Sequence, residues 1–148
     1  MTTHQYLNQI YWLQKKIDSL ALYEERLREE TEQISSPPFD RIRVTSSGTR
    51  DASAIIARIA DCEAEALKLK VEMITKRNAI VRQIQGLEDI KNPRAADYIE
   101  LLMRRYVLFE KFTKIADQMH YTEKHIFRLR NAALAAFERK YGDEYVDA

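Results

Sequence analysis

The chain has 148 residues, enough for one domain with a helical extension, and its 24 Lys and Arg against 23 Asp and Glu give a formal net charge of +1. The chain is therefore not a polycation, and it can bind an acidic partner only through a local patch of positive charge. The chain is rich in Ala, Leu, Ile, Glu, Lys and Arg and has only three Gly and three Pro, which predicts an all-α fold. Because it has one Cys, it cannot form an internal disulfide.

Residues 3–35 are predicted to form one long helix. Its inward positions recur in alternating steps of four and three residues, the heptad spacing of a helix that pairs with another helix. This seam consists of Tyr6, Ile10, Leu13, Ile17, Leu20, Glu24, Leu27, Thr31 and Ile34. A helix of this length cannot bury its stripe on itself, so it needs a partner helix.

A connector is predicted over residues 35–51. The stretch "SSPPFDRIRVTSSGTRDAS" contains two prolines, which stop a helix, and Ser, Thr and Gly residues, which favour turns. The plain interpretation is a flexible loop. The basic residues Arg41, Arg43 and Arg50 leave a phosphate-contacting role open.

Residues 52–90 are predicted to form a second long helix, capped by Asp51 or Ser53. Its heptad positions are Ala52, Ile55, Ile59, Cys62, Ala66, Leu69, Met73, Lys76, Ile80, Gln83 and Leu87. The two seams are satisfied by a long antiparallel, coiled-coil-like hairpin within residues 1–90, which would serve interaction or oligomerisation. A homodimer that pairs the same helices between chains satisfies them equally, and the sequence does not separate the two.

The chain restarts after Asn92-Pro93 with a helix whose apolar face is formed by Tyr98, Leu101, Leu102, Tyr106 and Val107. Residues 93–148 are predicted to form a C-terminal domain.

Within that domain, "KFTKIADQMHYTEKHIFRLRNAALAAF" over residues 111–137 has the pattern of a helix-turn-helix. Ala116 is small enough for close helix approach, Met119 closes the first helix, and His120 and Tyr121 occupy the turn. Thr122 is a good N-cap for the second helix. Ile126 and Leu129 are then predicted to face inward.

The outer side of the second helix carries side chains that can read base edges. Arg and Asn pair with guanine and adenine, and Thr or Phe contacts a thymine methyl group. The predicted base-reading residues are Thr122, Glu123, Lys124, Phe127, Arg128 and Asn131, and the predicted phosphate-contacting residues are Lys111, Lys114, Arg130, Arg139 and Lys140. Between Arg104 and Tyr141, nine Lys and Arg face four Asp and Glu, a local positive patch on a neutral chain. The alternative is a plain helix-loop-helix with a solvated charged surface, in which Phe127 packs in the core or lies in a protein interface.

Other classes of function find little support in the sequence. His120 and His125 have no cysteine or carboxylate to complete a metal site, and Cys62 reads as a small core residue. Without a glycine-rich phosphate loop or a nucleophile–base arrangement we predict no enzyme, no cofactor and no small-molecule substrate. No apolar run approaches the roughly 18 residues of a membrane span. The N-terminus lacks a signal sequence, so we expect a cytoplasmic protein that does not enter a membrane.

The run "RRYVLFEKFTKIADQMHYTEKHIFRLRNAAL" resembles region 4 of bacterial sigma factors, with an Arg-Tyr pair, an Ile-Ala first helix, a Tyr-Thr turn and a recognition helix ending in Ala-Leu. Over nearly its whole length the chain also resembles a phage and prophage family of uncharacterised function, through the connector "ISSPPFD…VTSSG" and this C-terminal run. The resemblance implies a regulator in the cytoplasm of a bacterial host cell that binds double-stranded DNA and activates late genes. No sigma region 2 is recognisable, so contact with RNA polymerase or a sigma factor is expected rather than promoter melting. The acidic stretch from Glu24 to Glu32 is the candidate contact.

Two other hypotheses remain open. A small-terminase-like protein that recognises DNA for packaging also joins a helix-turn-helix to oligomerising helices, and would form rings. A protein-interaction module that binds a host factor would show no salt-dependent DNA binding.

Overall fold

The structure is a computed structural model that describes residues 1–35 and 45–146. For residue 35 and residues 45–51 it describes the backbone only. Across the described residues the chain forms helices and no strand, which confirms the predicted all-α fold. The α-helices are α1 (Thr3–Leu7), α2 (Gln9–Ser35), α3 (Thr45–Gln85), α4 (Ala95–Leu102), α5 (Phe112–Met119) and α6 (Glu123–Tyr141). None of them is long and apolar enough to span a membrane.

The first predicted helix is interrupted once. Thr2 caps α1 through a capping box with Gln5, and α1 ends at Asn8, whose φ of −81° and ψ of 0° depart from the helical repeat. The N–H of Asn8 still bonds to the carbonyl of His4 at 2.9 Å. The single helix predicted over residues 3–35 is therefore two helices that meet at one residue.

The second predicted helix begins earlier than expected. Because α3 is continuous from Thr45, neither Asp51 nor Ser53 is its N-cap, and that prediction is wrong. The residues between Thr45 and Asp51 include no proline, and the single Gly48 costs only about 1 kcal/mol in a helix, so a long helix can extend through them. At the other end α3 stops at Gln85, and a 3₁₀ turn over Gly86–Asp89 follows. Arg41 and Arg43, for which the sequence leaves a phosphate-contacting role open, lie outside the described residues, as does the side chain of Arg50.

The chain divides into two compact units. The terminal unit contains Met1–Trp12 and Met73–Ala148, and the middle unit contains Leu13–Glu72. The C-terminal helices therefore share a unit with the first twelve residues and with the last part of α3.

The middle unit is held by a narrow seam between α2 and α3. Leu27 packs with Ile59 and Cys62, and Ile55 lies against this cluster. Next to it, a guanidinium nitrogen of Arg28 lies 2.6 Å from a Glu63 carboxylate oxygen. In this single chain the two helices thus contact each other along the predicted heptad positions.

Charges along the same seam give the direction of the two helices. Glu24 precedes Leu27 on α2 by one turn, and its pKa is lowered first by its hydrogen bond with Arg28 and also by the nearby positive charge of Lys70, which follows Cys62 on α3. An earlier residue of α2 therefore meets a later residue of α3, so the helices run antiparallel in this unit.

The terminal unit has a three-dimensional core. Its fully buried large side chains come from all six α-helices and the turns that follow them: Leu7, Ile10, Ile80, Ile84, Leu87, Leu101, Leu102, Tyr106, Ile115, Ile126, Phe137 and Tyr145. The helix α4 begins at Ala95, two residues after Pro93, and its predicted apolar residues Tyr98, Leu101 and Leu102 are buried as expected. α4 and α5 both contact α6, which places α6 at the centre of this unit.

The first helix completes this core. The hydroxyl groups of Thr3 and Tyr145 lie 2.7 Å apart. The ring of Tyr6 stacks on that of Tyr145 with centroids 4.3 Å apart and planes at 8°. Nδ1 of His4 lies 2.8 Å from the Tyr106 hydroxyl. Each contact joins residues more than a hundred positions apart in the chain.

Candidate nucleic-acid interface

The turn between α5 and α6 is tight and well bonded. His120 adopts the left-handed conformation, with φ of 59° and ψ of 39°. The N–H of Tyr121 donates to the carbonyl of Ala116 at 3.0 Å, and the N–H of His120 donates to that of Asp117 at 3.3 Å. This is the bonding of a Schellman motif, which usually has glycine at the left-handed position. The predicted end of the first helix at Met119 is confirmed, with histidine in place of glycine.

The start of α6 follows its sequence signals. Thr122 is extended and its Oγ1 accepts a hydrogen bond from the N–H of His125 at 3.1 Å, so it is the predicted N-cap. Ile126 and Leu129 are buried against the unit's core, as predicted. Ala116 is also buried, and α5 contacts α6. Together these features fix which side of α6 faces solvent.

Four of the predicted base-reading residues form one exposed stripe on α6. Lys124, Phe127, Arg128 and Asn131 are all exposed. Their spacing of three, one and three residues places them on one side of a helix with 3.6 residues per turn. Glu123 is exposed in the first turn. Thr122 is exposed as well, but its hydroxyl oxygen already serves as the cap.

Aromatic rings and arginines adjoin this stripe. The Phe127 side chain is 42% exposed, and its ring centroid lies 4.8 Å from that of Phe112. The Arg105 guanidinium lies 4.1 Å above the Phe112 ring. The Arg130 guanidinium lies 5.6 Å from the Phe112 centroid and 5.8 Å from that of Phe127. We call Arg105, Phe112, Phe127 and Arg130 the aromatic–arginine cluster.

Arg130 differs from the other predicted phosphate contacts because it is only partly exposed. Its Nη2 donates to Oδ1 of Asn131 at 3.3 Å, and its Nε is buried without a protein partner. The guanidinium is thus held beside the stripe by the rings. From there it adds positive charge, and after burial it is the next cause of the lowered pKa of His4.

Lys111 and Lys114, the two lysines at the start of α5, lie in two different environments. Lys111 is exposed and takes the N-cap position of α5 in extended conformation. Lys114 is exposed, but its Nζ lies 3.6 Å from a carboxylate oxygen of Glu110. The same carboxylate lies 3.1 Å from Arg104 and helps to raise the pKa of that guanidinium. A phosphate at Lys114 therefore has to compete with Glu110.

The last two predicted phosphate contacts lie at the opposite end of α6. Arg139 follows Lys124 by fifteen residues, which is about 22 Å along an α-helix. Its Nε donates to the carbonyl of Ala135 at 3.4 Å. Lys140 donates to the carbonyl of Gly86 and lies 3.6 Å from Asp89. The structure therefore does not bring these two residues together with the stripe.

Sequence reasoning missed a bond that fixes the turn. The Tyr121 hydroxyl donates to Oδ2 of Asp97 on α4 at 2.9 Å, and this bond raises the pKa of the phenol. The ring of Tyr121 also lies 4.4 Å from that of His125. No local pattern links Tyr121 to a residue 24 positions earlier. Arg105 and Phe112 could have been included in the predicted interface, because both belong to the basic and aromatic run that begins at Arg104.

Searches against protein-family models, curated proteins and solved structures gave no match to this chain. Function therefore has to be argued from the geometry and charge of α5 and α6. In the described part of the chain, no three His, Cys, Asp or Glu side chains are grouped so that they could hold a metal ion.

Proposed function

We propose that the protein is a sequence-specific DNA-binding transcriptional regulator that places α6 in the major groove of double-stranded DNA. The observation that carries this proposal is the exposed stripe of Lys124, Phe127, Arg128 and Asn131 on a helix that is capped, buried on its other side and preceded by a short helix and a tight turn. Helix-turn-helix proteins present the N-terminal part of the second helix to base edges in this way.

Each residue of the stripe has a suitable partner in the groove. Arg128 can donate two hydrogen bonds to O6 and N7 of guanine, and Asn131 can pair with N6 and N7 of adenine. Phe127 offers an apolar edge to a thymine methyl group. Lys124 can donate to guanine, and Glu123 can accept from N4 of cytosine.

Phosphate contacts would fix the register of α6 on the duplex. Exposed Lys111 is available for such a contact at the start of α5, and Lys114 becomes available if it leaves Glu110. The cluster holds Arg130 as a nearby cation. Arg139 and Lys140 would reach only phosphates that flank the site at the far end of α6, and Lys140 would have to release Asp89.

The regulatory role rests on the resemblance to sigma region 4 and to the phage and prophage family. By this resemblance, the protein would activate late genes of a phage or prophage by binding promoter DNA and contacting RNA polymerase or a sigma factor. The acidic residues of α2 are the candidate polymerase contact. Glu24 is paired with Arg28 and Glu30 with Arg26, so a polymerase surface would have to exchange these partners.

The test is fluorescence anisotropy of the full chain on duplexes taken from the genome that encodes it, over a salt series. We expect a few fragments upstream of genes to bind far more tightly than random DNA. Each good base contact contributes about 1–3 kcal/mol of discrimination. We therefore expect Lys124→Ala/Arg128→Ala to lower the affinity for the best fragment by at least about tenfold and to flatten the preference.

A matched control removes the same charge elsewhere. Lys16→Ala/Arg26→Ala replaces one exposed Lys and one exposed Arg on α2, and it should keep the preference. Equal, weak binding of all fragments, or no binding, would contradict the proposal. Ring-shaped oligomers that bind packaging sequences would favour a small-terminase-like role, and absence of DNA binding would favour a protein-interaction module.

A further inference from the structure

The middle unit carries a second heptad stripe on the side of α3 that faces away from α2. Ala60, Ala64, Leu67 and Val71 follow one another in steps of four, three and four, and all four are exposed. The side chains of Leu67 and Val71 are 63% and 57% exposed. Heptad spacing places this stripe roughly opposite the seam residues Ile59 and Cys62. An apolar stripe with this period fits another helix.

The order of side chains along the stripe is small, small, large, large. In an antiparallel pair of identical helices related by a two-fold axis between Ala64 and Leu67, Ala60 faces Val71 and Ala64 faces Leu67. Each large side chain then fills the space left by a small one, as close packing requires. In a parallel pair alanine would face alanine at two layers, which leaves gaps.

The charges that flank the stripe follow the same symmetry. Asp61 and Glu63 lie in the first half of the stripe, and Lys68 and Lys70 lie in the second half. In the antiparallel register Asp61 of one chain lies beside Lys68 of the other, and Glu63 lies beside Lys70. The two-fold axis repeats both pairs, so four flanking contacts join opposite charges. All four residues are exposed, and Glu63 would share its carboxylate between Lys70 and the Arg28 of its own chain.

We propose that the outer face of α3 is the contact surface for a second copy of this chain, which forms an antiparallel, two-fold symmetric dimer. The contact is isologous, because the same patch serves both chains. It differs from pairing the seam helices between chains, since the seam is satisfied within one chain. The dimer does not depend on DNA binding. If the proposed function also holds, the dimer supplies two copies of α6 and predicts a preference for inverted repeats.

Sedimentation equilibrium of the full chain, from about 1 to 100 μM, tests this proposal. We expect a monomer–dimer equilibrium in this range for the wild type. Asp61→Lys places lysine beside Lys68 of the second copy, and Lys68→Glu places glutamate beside its Asp61. Each change should raise the dissociation constant by at least about tenfold, because like charges then meet twice.

The decisive sample is an equimolar mixture of Asp61→Lys and Lys68→Glu. In a mixed dimer the two altered residues face each other and the two unaltered ones also pair, so dimers should return. Glu65→Lys makes the same charge change four residues after Asp61, outside the flanking positions, and should leave the equilibrium unchanged. Leu67→Glu should abolish the dimer. Far-UV circular dichroism confirms that each variant remains helical.

Three outcomes would overturn the proposal. The first is a wild type that stays monomeric throughout the concentration range. The second is a dimer that neither Asp61→Lys nor Lys68→Glu weakens, because its contact then lies on another surface. The third is a mixture of the two variants that stays as monomeric as each variant alone.

Discussion

The terminal unit and the middle unit use the same heptad spacing but reach different degrees of burial. In the described chain, all twelve of the largest fully buried side chains belong to the terminal unit. The middle unit is held by a seam around Leu27, Ile59 and Cys62. A helix surrounded by several others is covered on many sides, whereas a helix with one neighbour is covered on one side. In the middle unit α3 is covered by α2 on one side, and its other face is exposed to solvent. We propose that a second copy of the chain binds to this exposed face.

Removal of an aromatic ring from the core of the terminal unit should cause the largest loss in the free energy of unfolding, and so distinguish the two units most clearly. Phe137 is fully buried, with its ring centroid 5.1 Å from that of Tyr141 and 6.1 Å from those of Tyr6 and Tyr145. We expect Phe137→Ala to lower the free energy of unfolding by about 3–5 kcal/mol, through lost burial and a cavity that cannot collapse. Urea denaturation followed by circular dichroism measures the loss.

Leu27→Ala is the matched change in the middle unit. Leu27 is also buried, but its neighbours form a narrow seam that can close around a smaller side chain. We expect a loss of about 2 kcal/mol, at the low end for such a substitution. Equal losses for Phe137→Ala and Leu27→Ala would show that the two units do not differ in the way described.

The smallest effect concerns pH and belongs to the terminal unit. Burial, followed by the positive charges of Arg130 and Arg105, lowers the pKa of His4 below its ordinary value of 6.5. Well above pH 6.5, His4 is neutral in both the folded and the unfolded state and the effect is absent. As the pH falls below 6.5, the unfolded chain binds the proton more readily than the folded chain, so the free energy of unfolding decreases.

Urea denaturation of wild type and His4→Asn between pH 8 and pH 5 measures this contribution. The difference in unfolding free energy between the two proteins should be constant above pH 7 and should change in favour of His4→Asn below pH 6. A difference that does not vary with pH would exclude the proposed effect of His4.

Much of the fold follows from local patterns in the sequence. The two seams were predictable because heptad spacing depends only on neighbouring residues, and positions such as Ile10, Leu13 and Ile59 are buried as expected. The turn at His120 and the cap at Thr122 are also local features. For the candidate site, local spacing gave the exposed stripe but could not show that Lys140 is engaged by Asp89.

The features that sequence reasoning missed depend on contacts between distant residues. The bonds of Thr3 to Tyr145 and of Tyr121 to Asp97 have no periodic signal, because each partner is chosen by the assembled core. The early start of α3 at Thr45 was missed for another reason. Ser, Thr and Gly favour turns only weakly, and an adjoining long helix can override them.

The claim that α6 reads DNA bases is tested most directly by measuring the best-bound duplex in a series of single base-pair changes, with wild type, Arg128→Ala and Lys16→Ala. We expect Arg128→Ala to lose discrimination at one or two adjacent base pairs while the remaining positions keep theirs, and Lys16→Ala to match the wild type. If Arg128→Ala weakens binding equally at every base pair, Arg128 contacts only phosphates. If it changes nothing, α6 does not lie in the groove, and either result contradicts base reading by this residue.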